Sequence, residues 1–326
     1  MTNRTLRSLC VSLLLLLTFS IVGLAADPGS PIPNGATNDQ QPGSVLVYNL
    51  YSSKITDEGE DTRISITNVN TTQSAYVHLF FVSPACSTAD SYICLTPNQT
   101  ASFLASDVDP GTRGYIIAVA TELATGIPTS HNFLIGDALV KLATKHEAKL
   151  NAVAFQALFN GPLSTSTDPI LNLPFDGVSY SKAPRVLALD HIPSVADKNN
   201  TILIINSLNG NLATGITPVG TLFGILYDDT ENAFSFTIPG GCQFFSALSD
   251  SFPRTRPSFE TIIPTQRSGW LKTFSMQDRA IVGASLNFSK NTGGRRNAFS
   301  GGSNLHHLTN TTGAINLAIP VFPPAC

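Results

Sequence analysis

From Gly43 onward the chain is a succession of short apolar runs, and that rhythm constrains its fold more than any other feature. Residues 45–50, 63–67, 76–82, 100–104 and 115–120 are each five to seven long and rich in β-branched and aromatic side chains. Between them stand Asn68-Val69-Asn70, Thr96-Pro97-Asn98 and Asp109-Pro110-Gly111. These residues favour turns, through Asx hydrogen bonds, the fixed φ of proline or access to positive φ. Runs this short, punctuated this often, predict antiparallel strands in sandwiches or barrels.

The second half repeats the order. Residues 186–189, 201–206, 222–227, 243–247 and 270–274 recapitulate the same five runs. Landmarks follow at similar offsets: Asn68 to Asn206 is 138 positions, Pro97 to Pro239 is 142, Asp107 to Asp250 is 143 and Gly114 to Gly269 is 155. Each landmark has a structural reason. Pro97-Asn98 and Pro239-Gly240 reverse the chain, Asn68 and Asn206 satisfy backbone groups that leave a ladder, and Gly114-Tyr115 and Gly269-Trp270 each open a strand. One segment departs from the pattern. Leu139, Leu142, Ala143, His146, Leu150, Val153, Ala154, Ala157 and Leu158 recur at helical spacing. With Asp137 as cap and Gly161-Pro162 as terminator, they predict a helix near 138–159.

The N-terminus reads as a targeting signal. Arg4 and Arg7 precede the apolar run 11–24, and small residues around Ala25-Ala26 offer a cleavage site. That run has 14 residues, short of the roughly 20 a spanning helix needs, so residues 1–26 are expected to be a cleaved signal peptide. No later run is long enough to span a membrane. The expected layout is a disordered leader at 27–42, one β-sandwich domain at 43–160 that includes the helix, a linker at 161–182 and a second β-sandwich domain at 183–326. The chain is therefore expected to be exported to the periplasm, the cell surface or the medium. The formal charge of −3 drops to −5 once Arg4 and Arg7 are removed. This mild acidity argues against a nucleic-acid partner, which demands a basic stripe, and Arg295-Arg296 lies in a Gly-rich loop.

Four cysteines follow the signal: Cys86, Cys94, Cys242 and Cys326. An even number in an exported chain favours structural disulfides. Pairing Cys86 with Cys94 and Cys242 with Cys326 would keep each bridge inside one domain. Zinc is disfavoured because no Cys-x-x-Cys occurs and His306-His307 lacks ligand spacing.

Chemistry-bearing motifs are scarce. There is no Gly-x-Ser-x-Gly elbow, His-Glu-x-x-His, P-loop or dinucleotide-binding glycine pattern. The histidines, His78, His131, His146, His191, His306 and His307, define no triad by spacing. Asp107-x-Asp109 and Asp228-Asp229 read as turn initiators rather than calcium ligands. Asn-x-Ser/Thr triplets at Asn70, Asn98, Asn199, Asn287 and Asn310 matter only in a eukaryotic secretory route. Trp270, the only tryptophan, is expected in a core. No catalytic, cofactor-binding or metal-binding residue is assigned.

The order of segments resembles a set of uncharacterised exported bacterial proteins with tandem immunoglobulin-like β-sandwich repeats. Residues 202–206, 222–228, Pro239-Gly240, 244–250, 269–274 and 281–288 carry the resemblance. The first half follows more loosely at 62–68, 76–82, Pro97-Asn98, 103–107 and 114–119. The resemblance implies an all-β fold of two tandem immunoglobulin-like sandwiches and an exported location, and it carries no catalytic residues over. The function expected is a non-catalytic binding or structural module of the envelope or extracellular space, with a polysaccharide or an envelope protein as partner. The alternative is a secreted hydrolase whose site is assembled from distant loops.

Overall fold

Alternation decides which strands are central and which are peripheral. Along Asp61–Asn68 every second residue is buried, as in a strand with one face on a core, whereas all eight residues of Val45–Ser52 are buried, as in a strand covered on both faces. The computed structural model describes residues 37–54, 59–290 and 299–326, and these fall within one compact unit. The expected signal peptide and most of the expected leader lie outside the described residues.

The described strands form five sheets. Sheet 1 has the order β4 (Thr88–Leu95), β3 (Ala75–Val82), β6 (Arg113–Thr121), β1 (Val45–Ser52), β9 (Val153–Phe155). Sheet 2 runs β5 (Thr100–Leu104), β2 (Asp61–Asn68), β7 (Leu134–Lys141), β8 (Glu147–Asn151). Sheet 3 runs β16 (Ala233–Ile238), β15 (Leu222–Asp228), β18 (Ser268–Ser275), β11 (Pro184–Pro193), β21 (His306–Asn310). Sheet 4 runs β17 (Gln243–Ala247), β12 (Asn199–Ser207), β19 (Ile281–Ser289), β20 (Phe299–Asn304). Sheet 5 gathers β10 (Ile170–Phe175), β22 (Ile315–Pro320), β13 (Gly210–Asn211) and β14 (Gly215–Ile216). Among the described residues helix is confined to the single turns Ala105–Val108 and Phe259–Ile262 and the 3-10 turn Val195–Asp197.

Five sheets in a propeller-like, five-bladed arrangement overturn the expected pair of immunoglobulin-like sandwiches. The order of strands in sheets 1 and 2 does recur in sheets 3 and 4, with β1, β3 and β6 answered by β11, β15 and β18. What recurs, however, is blades that pack on several neighbours. Leu46, Tyr48 and Leu50 of β1 join one core with Ile64 and Ala138 of sheet 2 and with Ile202, Ile204 and Leu286 of sheet 4. Val45 and Val47, on the other face of β1, join a second core with Leu173, Phe175, Leu317 and Ile319 of sheet 5. A third core lies between sheets 3 and 4, around Leu203, Ile205, Leu226 and Leu271. Each large side chain withdrawn from water in these layers stabilises the fold by about 2 kcal/mol. Residues 161–182, expected as a linker, contain β10, which pairs with β22 near the end of the chain.

The expected helix near 138–159 is instead β7, β8 and β9. Ala138 and Val140 are buried while Leu139 and Lys141 are exposed, and Ala148 and Leu150 are buried while Glu147 and Lys149 are exposed. Both periods are written into this segment, and period two prevails because β2 accepts and donates along the whole length of β7. A turn closes the β7–β8 hairpin, with Lys145 at φ 71° and its N–H donating to the Leu142 carbonyl.

The cysteines pair across the expected boundary. Cys86 bonds Cys242 (Cα–Cα 5.2 Å) and Cys94 bonds Cys326 (Cα–Cα 6.1 Å), which corrects the pairing preferred from sequence. The reason is strand length. Cys86 sits in the turn before β4 while Cys94 lies near its far end opposite Tyr76, and the extended stretch from Thr88 to Cys94 alone spans about 20 Å.

Gly114 and Gly269 occupy equivalent places beside a bulge. β1 shifts register between Tyr48 and Tyr51, so Asn49 and Leu50 stand opposite Tyr115. β11 shifts between Leu189 and Ile192, so Asp190 and His191 stand opposite Trp270. A Cβ on Gly114 would lie 1.9 Å from the Val82 carbonyl oxygen, a backbone atom. Gly114→Ala is therefore expected to destabilise the protein by about 2 kcal/mol in urea unfolding. Gly301→Ala, where a Cβ meets nothing within 4 Å, is the control. Equal midpoints for the two variants would refute the packing argument.

Candidate functional site

The two equivalent sheets differ most in what covers them. On the outward face of sheet 1, Tyr115, Ile117 and Val119 of β6 lie beside Val82 and Phe80 of β3. Sheet 5 packs over this face and leaves all five side chains buried. Among the described residues no sheet packs over the matching face of sheet 3. There Trp270, Lys272 and Phe274 of β18 pair with Tyr227, Ile225 and Phe223 of β15. Phe223 and Phe274 are 5.4 Å apart, and Tyr227 stacks on Trp270 at 4.3 Å with planes only 7° apart. Trp270 is 36% exposed, which corrects its expected place in a core. Leu308 of β21 and Val186 of β11 extend the apolar surface toward the other edge, where Arg185 and Lys272 help line a shallow depression. Trp270 is the most exposed aromatic of this face, while Tyr227, Phe223 and Phe274 are half-buried.

The bulge opposite Trp270 joins this face to a polar cleft. Asp190, one of the two bulge residues, has its carboxylate 3.5 Å from His306 Nε2, and both side chains are mostly exposed. They form one wall of a cleft of about 580 Å³ whose other walls are the segment 37–39, β8 and β20. Segment 37–39 is held by the Asn38–Ala154 bridge and by Thr37 Oγ1 donating to the Lys182 carbonyl. Asn304 sits in the wall with its amide fully engaged. Its Nδ2 donates to Asp39 Oδ2 (2.9 Å) and to the Asn151 carbonyl (2.8 Å), and its Oδ1 accepts from Asn49 Nδ2 (2.8 Å). Behind it the amides continue inward. Asn206 Nδ2 donates to Asn49 Oδ1, and Gln243 Nε2 donates to Asn206 Oδ1. Asn49 and Asn206 are wholly buried, so the wall is tied by side-chain bonds to the junction of sheets 1 and 4. Lys149 lines the cleft and pairs with Asp137 at 3.3 Å.

His307 lies beside the cleft but is turned inward. Its Nδ1 contacts the Thr37 carbonyl, its Nε2 is buried with no hydrogen-bond partner, and burial lowers its pKa. The remaining histidines are scattered. His78 is enclosed by Phe80, Tyr92 and Phe322 with Asp90 at Nε2, and burial lowers its pKa. His131 bonds Asn68, His146 bonds the Asn200 carbonyl and Thr144, and His191 is exposed. One acid of each acidic pair serves a local turn, while Asp109 accepts from the Tyr51 hydroxyl and Asp229 pairs with Arg267. Asp107 accepts from the Leu104 N–H, and Asp228 is held at about 2 by hydrogen bonds, foremost from Asn232, in the β15–β16 turn. Among the triplet asparagines Asn70 is buried and Asn310 exposed. Arg295-Arg296 lies outside the described residues. Among the described residues no cluster of three His, Cys, Asp or Glu side chains is arranged to hold a metal ion, and no helix is long and apolar enough to cross a membrane.

Fold and site together define an all-β, propeller-like protein that presents a partly exposed aromatic face beside a polar cleft. No family model matches the chain, and no curated protein matches it. Among solved structures, the Lactobacillus farciminis oxalate decarboxylase–formate complex aligns over 78% of this chain and 86% of its own at 8% identity. The TM-score is 0.12, a value that carries no argument about fold or function.

Sequence reasoning named Trp270 and His306 but could not join them. The signal that links them is the two-residue bulge at Asp190-His191, which is invisible until β11 is paired. Asp39 and Asn304 carried no signal at all, since their roles come from contacts across 265 positions of chain.

Proposed function

We propose that this chain is an exported, non-catalytic binding module whose ligand is a polysaccharide, gripped by the outer face of sheet 3. The observation that carries this reading is the stacked Tyr227–Trp270 pair on a face whose counterpart in sheet 1 is buried under sheet 5. Aromatic rings on a flat sheet suit the apolar C–H faces of sugar rings, and neighbouring carboxylates suit hydroxyl groups. The test is a pull-down of the purified chain on insoluble cell-wall and extracellular polysaccharides and on intact envelopes. Saturable binding that survives moderate salt is expected, with Trp270→Ala weakening it about tenfold. Equal binding by the wild type and Trp270→Ala would remove the aromatic face from the reading.

One observation favours the alternative, a hydrolase: Asp190 and His306 share the cleft. Among the described residues, however, no serine, threonine or cysteine side chain is hydrogen-bonded to His306 to form a nucleophile pair. Release of reducing ends from the bound polysaccharide would decide for the hydrolase.

A further inference from the structure

We infer that the cleft beside Trp270 is a second subsite that reads the hydroxyl groups of an uncharged, hydroxyl-rich oligosaccharide and rejects uronate or sulfated chains. This rests on the polysaccharide reading of sheet 3 and adds the class of sugar. Three observations support it.

The first is continuity. Asp190 stands in the bulge directly opposite Trp270 and also lines the cleft. A chain of sugar rings lying on the aromatic pair would therefore reach the cleft without leaving the surface.

The second is charge. Lys149 is already matched by Asp137 at 3.3 Å. The carboxylates of Asp39 and Asp190 remain, with His306 as the partner of Asp190. Two carboxylates facing a cleft are acceptors for hydroxyl donors, and inside the cleft they repel a carboxylated or sulfated polymer even though Lys272 stands on the adjoining face.

The third is rigidity. Asn304 is clamped by Asp39, the Asn151 carbonyl and Asn49, and Asn49 is fixed in turn by Asn206. A wall held from behind by buried amides keeps Asp39 in place before any ligand arrives, so little ordering cost falls on binding.

The test is calorimetric titration of the full chain with soluble neutral oligosaccharides (gluco-, manno- and xylo-series) and with an oligogalacturonate. The neutral series is expected to bind and the uronate to fail. Asp190→Ala and Asp39→Ala are each expected to weaken binding at least fivefold. Asp190 is mostly exposed, so its variant keeps the wild-type melting temperature and loss of affinity is not loss of fold. If both variants bind within twofold of wild type while Trp270→Ala does not, the subsite is overturned and the sheet 3 reading survives. Binding of the uronate as tightly as the neutral sugars would overturn the assigned class. Failure of the wild type to bind any of these sugars would overturn the polysaccharide reading itself, and this inference with it.

Discussion

Replacing Cys86 and Cys242 together by alanine is expected to lower the free energy of unfolding by about 5 kcal/mol, the chain-entropy cost of opening so long a loop. The bridge closes 156 positions of sequence and fastens the turn after β3 to the residue that leads into β17. Native contacts on both sides would persist without it. Cys242 is wholly buried in the core shared by sheets 1 and 5, and the Cys86 carbonyl accepts from the Ile216 N–H. The loss therefore falls mainly on the unfolded ensemble, which becomes far freer. The Cys94–Cys326 bridge spans 232 positions, but opening it also frees the end of the tail beyond Pro324 in the native protein, which returns part of the difference. Removing it is expected to cost less. Guanidinium unfolding of the two double variants measures both losses, and peptide mapping of the oxidised protein checks the pairing. A Cys86–Cys94 peptide, or a midpoint unchanged in the Cys86/Cys242 variant, would show the linkage to be wrong.

Acidification from about pH 6.5 to about pH 4 is expected to remove about 3 kcal/mol of stability through His131 alone. Burial of His131 lowers its pKa from 6.5 to about 4. The residue is only 5% exposed, its N–H donates to Ser44 Oγ, and its Nε2 bonds Asn68 Oδ1 at 2.9 Å. The direction follows from proton counting. Between those two values the unfolded chain binds a proton at this site and the folded chain does not, so stability rises with pH and falls as pH drops through the window. Below about 4 both states are protonated and the contribution is gone. Burial lowers the pKa of His78, His146 and His307 as well, so these sites steepen the same slope. Urea midpoints at a series of pH values, together with an NMR titration of the His131 ring, measure the effect. His131→Gln should flatten the profile over this window. A His131 that titrates near 6.5, or a profile no flatter in the variant, would contradict the assignment.

Asn68 illustrates what could be read in advance. Its place at a strand end and its turn-forming neighbours indicated a side chain that satisfies stray backbone groups. It donates to the Gln73 and Thr96 carbonyls and accepts from the Asn70 N–H. Asn206, its counterpart by landmark, donates instead to the carbonyl and side chain of Asn49. The same residue type at the same place in the strand order thus serves a turn in one half and a junction between sheets in the other. The segment 138–159 shows the opposite failure. Its apolar residues satisfy a helical period and a strand period at once, and local spacing alone has no means of ranking them. The partner strand β2 ranks them, because it offers β7 a full ladder of hydrogen bonds.

The runs and turns of the sequence by themselves determined that the chain is β-structured, where its main strands lie and in what order they recur. These properties reside in side-chain alternation and turn chemistry, which act over a few residues. Which sheets face each other, which cysteines meet, and that Trp270 is partly exposed while Tyr115 is buried were decided only by the tertiary structure. A β-face carries no label for its partner. Apolar residues on the outside of sheets 1 and 3 are equally ready to be buried, and only the placement of β10 and β22, brought together from residues 170 and 320, determines that sheet 1 is covered and sheet 3 left open.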